Sequence, residues 1–318
     1  MNDRGWSRLL DAAAARLRQA GVDSPRLDAE LLLAHALRVA RLDILTGSND
    51  ARRRATPAAL RRFRALLARR ARRVPLQYLT GTCEFYGRSF RVTPAVLVPR
   101  PETETLIDHA LAWEKGRFPI RVLDLGTGSG AIALTVACER PGASVVATDA
   151  SRRALAIARA NARRLGVASR IRFLCGDLFA PLRNERSTRP PRRAPRDARR
   201  STHDAPTRFD LILSNPPYIP TRELARCQPE VRDHEPRQAT WGGPDGLSVI
   251  RRLVADAAAF LAPGGALMLE VGAGQARRVA RLLQTNGRYA KVRVSNDLSG
   301  IGRVVSARIA TPATGHGC

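Results

Sequence analysis

The chain has 318 residues, a hydrophobic fraction of 44% and a formal charge of +26, enough apolar material for one large domain and a small one. No apolar run reaches the roughly 18 residues that crossing a bilayer requires, and Met1 to Arg16 lacks the apolar segment of a secretory signal, so a cytoplasmic protein without membrane contact is expected. The cysteines Cys83, Cys138, Cys175, Cys227 and Cys318 stand singly and share no ligand spacing with the histidines, which argues against structural zinc or a disulfide framework.

Residues 1–75 read as a small helical domain. Leu9, Leu10, Ala13 and Leu17 recur at helical spacing, as do Leu27, Leu31, Ala34 and Leu37 after an Asp23-Ser24-Pro25 start signal. A third helix is predicted from about Pro57 to Arg72, with Leu60, Phe63, Leu66 and Leu67 on its apolar face. Residues 76–104 form a linker whose first part, with Tyr78, Phe85, Phe90, Val92, Val96 and Val98 among Gly81, Gly87 and Pro94, has hairpin composition.

From 105 to 318 helix and strand alternate. Strands are predicted at Arg121–Leu125, Ser144–Asp149, Ile171–Leu174, Phe209–Ser214, Ala266–Val271, Lys291–Val294 and Arg303–Ile309. Helices are predicted at Ala131–Glu139, Ser151–Arg164, Leu247–Leu261 (stopped by Pro263-Gly264-Gly265) and Gln275–Thr285. That alternation implies an α/β fold with a mostly parallel sheet covered on both faces. Residues 183–208, rich in Arg, Pro, Ser and Thr, interrupt it and are expected to be a disordered insert at a surface turn.

The positive charge is almost all arginine, since Lys115 and Lys291 are the only lysines. Together with abundant alanine this reads either as a coding bias alone or as a bias that also serves weak contact with a polyanion such as the ribosome.

Two constellations carry chemistry. In Val122-Leu-Asp-Leu-Gly-Thr-Gly-Ser-Gly130 a strand feeds a glycine-rich turn and then a helix, so backbone N–H groups are free and a ligand can approach closely. The run lacks the Gly-Lys-Ser/Thr of a phosphate loop and the GxGxxG of a dinucleotide site. Asp149 ends the next strand, where a carboxylate can accept both ribose hydroxyls. Asp177 ends the third and could meet an adenine amino group. Turn or cap roles are the plainer reading of each aspartate, but two at successive strand ends after such a loop favour an adenosine-type ligand.

The second constellation is Asn215-Pro216-Pro217-Tyr218, after the strand Phe209–Ser214. The prolines stiffen the chain and remove two donors. The Asn215 side-chain oxygen and the Pro216 carbonyl remain as acceptors for the two N–H bonds of a planar –NH2 group, and Tyr218 offers a ring to stack on it. A proline-rich turn without function would account for this segment alone, less well for its pairing with the glycine loop.

These stretches, in this order, resemble the amino-methyltransferases. With Pro75-Leu-Gln-Tyr-Leu-Thr-Gly81 and Glu84-Phe85, Val98-Pro-Arg-Pro-Glu-Thr-Glu104, and Glu235-Pro236 with Gly242-Gly-Pro-Asp-Gly-Leu247, the chain from about 20 to 309 is similar to the peptide chain release factor glutamine N5-methyltransferases. The resemblance implies a Rossmann-like seven-stranded class I methyltransferase sheet with a reversed last strand, behind a small N-terminal helical domain that recognises substrate. It implies S-adenosyl-L-methionine as donor and the glutamine of the Gly-Gly-Gln loop of class 1 release factors as acceptor. A monomer is expected. By matching motifs, Gly126, Thr127, Gly128, Ser129, Gly130, Asp149, Leu178 and Asn215 would hold the cofactor. Asn215, Pro216, Pro217 and Tyr218 would hold the glutamine. Leu178 departs from the larger aromatic that the family can carry there. The rival within the same chemistry is methylation of an exocyclic base amine in RNA or DNA, which fits the same clamp.

Overall fold

The computed structural model describes residues 3–113, 119–187 and 208–310. It divides into two compact units, Met1–Thr82 with Cys227–His234, and Cys83–Arg226 with Glu235–Cys318.

In the first unit, among the described residues, run α1 (Asp3–Gln19), α2 (Pro25–Leu37), α3 (Arg41–Leu45), α4 (Asn49–Arg54), α5 (Pro57–Ala71) and α6 (Leu76–Thr80), with a π-helical turn at Glu230–His234. Trp6, Leu10, Leu17, Leu32, Leu33, Leu37, Phe63 and Leu67 make its core. The face expected for α2 is widened. Of the expected residues Ala34 and Leu37 are buried, Leu31 is half-buried and Leu27 is exposed, and burial extends to Ala29, Leu32, Leu33 and Ala36, because α2 is packed by both α1 and α5 and has no single apolar stripe. The stretch at Tyr78, read as hairpin, is the short helix α6, closed by Gly81 in the left-handed region. Burial is not confined to apolar groups. Arg70 donates to Asp28 Oδ2 and Glu230 Oε1 at 2.7 Å each, and Arg73 grips both oxygens of Glu230 at 2.7 Å. Burial alone would raise the Glu230 carboxyl, but the two arginines hold it below its ordinary value.

The second unit opens with the hairpin β1 (Thr82–Phe85) and β2 (Arg88–Arg91), then α7 (Glu102–Trp113). The large sheet follows as β3 (Arg121–Leu125), α8 (Ala131–Glu139), β4 (Ser144–Asp149), α9 (Arg152–Arg164), β5 (Ile171–Cys175), α10 (Ala180–Ser187) and β6 (Phe209–Ser214). After the short helices α11 (Thr221–Leu224) and α12 (Arg237–Thr240) come α13 (Ser248–Asp256), β7 (Leu261–Glu270), α14 (Ala276–Thr285), β8 (Tyr289–Asn296) and β9 (Gly302–Ile309). The sheet order is β5-β4-β3-β6-β7-β9-β8. All pairings are parallel except those of β9, which runs antiparallel to both β7 and β8. Alternate residues fill the two faces. Val122, Val145 and Leu211 belong to one core, and Leu123, Val146 and Ile212 to the other.

Two expectations are corrected here. The helix read as Leu247–Leu261 is α-helical to Asp256 and continues as a 3-10 turn over Ala257–Ala259, and Leu261 already pairs with Phe209 as the start of β7. Pro263-Gly264-Gly265 is a bulge inside that strand, between the Phe209 and Leu211 pairings, rather than a helix stop. The insert read as starting at Arg183 begins inside α10, which continues to Ser187. Its residues 188–207 lie outside the described residues.

Candidate active site

The chain builds β3, β4 and β5 in one direction, then crosses back to place β6 on the other side of β3. That reversal opens a crevice outside the carboxyl ends of the strands. The register fixes what lines it. Leu125 pairs with Thr148 on one side and Ser214 on the other, and Ser214 pairs with Leu269. The next residues along the four strands, Gly126, Asp149, Asn215 and Glu270, therefore stand in one row at the sheet edge.

Hydrogen bonds hold the glycine-rich turn from every side. Gly126 and Thr127 N–H both donate to the Thr148 carbonyl at 2.9 Å, and Gly128 N–H donates to Asp149 Oδ2 at 2.9 Å. The Thr127 hydroxyl donates to Asp124 Oδ2 at 2.6 Å, and Ala133 N–H reaches the same oxygen at 3.1 Å. Asn161, fully buried on α9, donates to the Ser129 carbonyl at 2.8 Å. It also exchanges hydrogen bonds with the Arg91 backbone at 2.8 and 3.0 Å. Burial pushes the Asp124 carboxyl up to about 7, against the two donors that pull it down. Burial also raises Asp149, opposed by the N–H groups of Ser151 and Gly128.

Gly126 and Gly128 have φ of 73° and 56°, and a Cβ on either would meet nothing within 4 Å. The turn is thus an open cradle, backed by a carboxylate whose oxygens keep lone pairs for further donors. This donor set fits the adenosine and cationic tail of the cofactor expected from the sequence. Asp177 is on the surface in an ion pair with Arg252 of α13, so a ligand amino group there would compete with a guanidinium. Leu178 has a φ of 46°, and its carbonyl accepts from the Thr148 hydroxyl at 3.3 Å.

Asn215 to Tyr218 leave β6 on the same edge. Asn215 Nδ2 donates to the Thr103 hydroxyl of α7 at 3.1 Å, which leaves Oδ1 as the acceptor for a substrate N–H. Pro216 is buried and Pro217 half-buried. The Tyr218 carbonyl accepts from Gln275 Nε2 at 2.8 Å. Burial raises the Tyr218 hydroxyl far above its ordinary value, and the nearby Glu270 adds to the rise.

The Gly242–Gly246 segment holds this turn from behind. Gly242 N–H donates to the Ile219 carbonyl and Ile219 N–H to the Thr240 carbonyl, both at 2.9 Å. A Cβ on Gly242 would lie 2.8 Å from the Pro217 carbonyl, and one on Gly246 2.3 Å from the Tyr218 carbonyl. The segments at Val98–Glu104 and Glu235 also meet, through Arg100 Nη2 to Glu235 Oε2 at 2.6 Å.

Two site residues had no role assigned from sequence. Thr103 sits inside a quoted motif. Glu270 interrupts the apolar run Leu267–Val271, and a carboxylate at a predicted strand end on the ligand edge was the signal that could have found it.

A family model described as the PrmC N-terminal domain matches residues 8–81, and one described as a methyltransferase domain matches residues 119–296. The chain is 45% identical to the release factor glutamine methyltransferase of Cereibacter sphaeroides, over 94% of this chain and 97% of that protein. It is 44% identical to that of Gloeobacter violaceus, over 95% of each. Among solved structures, the catalytic domain of hMettl16 superposes with a TM-score of 0.52 at 15% identity, over 78% of this chain and 84% of that one, a likeness of fold.

Proposed function

The chain belongs to the family of release factor glutamine methyltransferases, and from that premise we propose that it methylates the side-chain amide nitrogen, N5, of the glutamine in the Gly-Gly-Gln loop of class 1 peptide chain release factors, with S-adenosyl-L-methionine as donor. The observation that supports the reading at the level of residues is the row Gly126, Asp149 and Asn215, in which the open glycine turn and the Asn215 side chain stand side by side on one sheet edge.

When bound, the cofactor supplies a methyl group made electrophilic by its sulfonium. In this reading the turn from Gly126 to Gly130 and Asp149 would hold the cofactor, the Asp149 carboxylate accepting from ribose hydroxyls, and Leu178 and Asp177 would contribute to the adenine side of the site. An amide nitrogen is a poor nucleophile because its lone pair is delocalised. Asn215 Oδ1 and the Pro216 carbonyl take its two N–H bonds, favour a more pyramidal nitrogen and aim the lone pair along the line of displacement. Pro217 stiffens the clamp, and Tyr218 presents its ring to the amide plane. The N-methylated, protonated amide is acidic enough to lose its proton to water, so no side chain is assigned as base.

Among the described residues no helix is long and apolar enough to cross a membrane. The reading extends to a cytoplasmic monomer whose arginines add weak polyanion or ribosome contact. The test is mass spectrometry of a release factor incubated with the protein and labelled cofactor. A single methyl on the Gly-Gly-Gln glutamine is expected. Label in purified RNA or DNA, and none in release factor, would overturn it.

A further inference from the structure

The mechanism above uses only a glutamine, yet the glutamine belongs to a folded protein that must rest on the same sheet edge. Among the described residues of the second unit, the large apolar side chains left exposed are Trp241, Val294, Leu298 and Ile301. Single exposed apolar residues are ordinary, whereas a group of them on one face marks a contact surface. These four flank the segment Asn215–Tyr218 on two sides.

Three of them belong to the β8–β9 hairpin. β9 runs antiparallel to β7, Glu270 pairs with Val304, and Val271 N–H donates to the Arg303 carbonyl at 2.9 Å. The turn 297–301 therefore stands at the carboxyl edge, with Asn215 and Glu270. Asp297 ties that turn down. Its side chain accepts from Ser299 N–H at 2.9 Å, from Ile301 N–H at 3.0 Å and from Arg303 Nε at 3.2 Å. Its backbone N–H donates to the Ile301 carbonyl, and its carbonyl accepts from Gly300 N–H. Leu298 at the tip is wholly exposed. An apolar side chain presented on a turn already ordered can be covered by a partner at little entropic cost.

Trp241 lies on the other side. It bridges Ile219, the residue after Tyr218, and its indole N–H donates to the Thr221 hydroxyl at 2.9 Å. The Arg237 guanidinium sits 5.3 Å from the ring centroid. The ring is thus held in place while the residue stays 40% exposed. Tyr218 stands between the two groups: a Cβ on Gly272, the residue after Val271, would lie 3.0 Å from Tyr218 Cδ2. Size decides whether the hairpin tip is near enough to matter. β8 is three strands from β6 in the sheet, about 14 Å at the usual strand spacing. A stable protein–protein contact covers about 800 Å² on each partner, a disc roughly 16 Å in radius. Centred on Asn215, such a disc reaches the tip.

We propose that Trp241 and the β8–β9 tip, led by Leu298, form an apolar docking surface for the body of the release factor around its methylated loop. The proposal rests on the glutamine reading above. The partner chemistry it calls for is apolar, uncharged surface beside the Gly-Gly-Gln loop. These residues then govern affinity for the whole protein and leave the chemistry at the amide to Asn215 and its neighbours.

The experiment compares the full chain as wild type, Leu298→Ser, Leu298→Met, Trp241→Ser and Trp241→Phe. Affinity for a purified release factor is read by calorimetric titration at low and high salt. KM, single-turnover rate at saturating release factor, cofactor affinity, melting temperature and sedimentation are measured on the same preparations. Leu298→Ser and Trp241→Ser should each weaken release factor binding and raise KM about tenfold. The loss should be the same at both salt concentrations, because apolar contact is not screened. Saturated turnover and cofactor affinity should hold, and Leu298→Met and Trp241→Phe should bind as wild type does. Wild-type affinity in Leu298→Ser overturns the proposal, and so does a fall in saturated turnover with affinity intact. Self-association of the wild type that is lost in Leu298→Ser, with KM unmoved, overturns it in favour of a second copy of the chain. RNA bound more tightly than release factor, and released by Trp241→Ser, overturns it in favour of base stacking. If Trp241→Ser does not fold, the Leu298 pair decides, since that side chain is wholly exposed. A wild type inactive on release factor overturns the glutamine reading and this inference together, whereas an active wild type with an unimpaired Leu298→Ser overturns the inference alone.

Discussion

Asn161 Nδ2 donates to the Ser129 carbonyl at 2.8 Å, tying the middle of α9 to the glycine-rich turn. The same side chain closes a two-way hydrogen bond with the Arg91 backbone at the end of β2. Asn161→Ala removes all three bonds at a fully buried position. A loss of about 2–4 kcal/mol in stability is expected, since three backbone groups lose their partner. The released turn should also weaken cofactor binding. Denaturant unfolding and cofactor titration check both, and unchanged stability would show that the turn is held by its own backbone bonds.

Asn215→Ala removes the acceptor oxygen while leaving β6 and both prolines intact. Turnover should drop by about 10²–10³ for loss of one preorganised contact at a reacting centre, with cofactor affinity falling only modestly. Asn215→Asp keeps an acceptor but sets a negative charge beside the sulfonium and loses the donor to Thr103, so turnover should fall there too. Single-turnover methylation alongside melting curves separates this from a capping role, which predicts lower melting with activity per folded molecule retained.

Two glycines make a contrasting pair. Gly128→Ala adds a methyl group to open space and meets only the penalty of a positive φ, about 1–2 kcal/mol. Cofactor affinity should suffer most. Gly246→Ala forces a methyl group to within 2.3 Å of the Tyr218 carbonyl and 2.5 Å of Gln275 Nε2 at a φ of 79°. A cost of about 3–4 kcal/mol is expected, and turnover should fall more than cofactor affinity. Calorimetric titration and chemical unfolding of the two variants provide the comparison.

Asp124 gives a pH prediction. Its carboxyl is raised to about 7 in the folded protein, chiefly by burial, and the unfolded chain should have an ordinary aspartate value. The folded state thus holds the proton more tightly. The stability this contributes is complete below the unfolded pKa and is lost as pH rises through about 7. Asp124→Asn cannot titrate, and its oxygen can still accept from Thr127 and Ala133. Relative to wild type, its melting temperature should improve as pH is raised from about 5 to about 8. A difference that stays flat would place the Asp124 pKa outside that window.

The central strands were legible because they are short apolar runs closed by a turn residue, as at Leu125-Gly126 and Ser144–Asp149. The Asn215-Pro-Pro-Tyr218 segment was legible as a candidate site because it directly follows such a strand. What the sequence hid depended on contacts distant along the chain. Thr103 lies 112 positions from Asn215, and no spacing rule joins them. Asn161 lies within a helix whose pattern says only that its neighbours Ala158 and Ala162 are buried. The start of β7 was misplaced because Pro263-Gly264-Gly265 carries stop-signal chemistry, and a bulge uses the same residues as a stop.

The grip of Arg73 on Glu230 has a consequence for the order of events during synthesis. The two residues are 157 positions apart, and a nascent chain grows at about 5–20 residues per second. The N-terminal helices therefore wait roughly ten to thirty seconds for the acid that neutralises their buried arginines. Through that interval Arg70 has only Asp28 as an acidic side-chain partner of its own unit, and Arg73 has the carbonyls of Ala20 and Gly21. The unit that begins the polypeptide is completed only after most of the other has emerged, and a fragment cut after Thr82 would never receive its last acid.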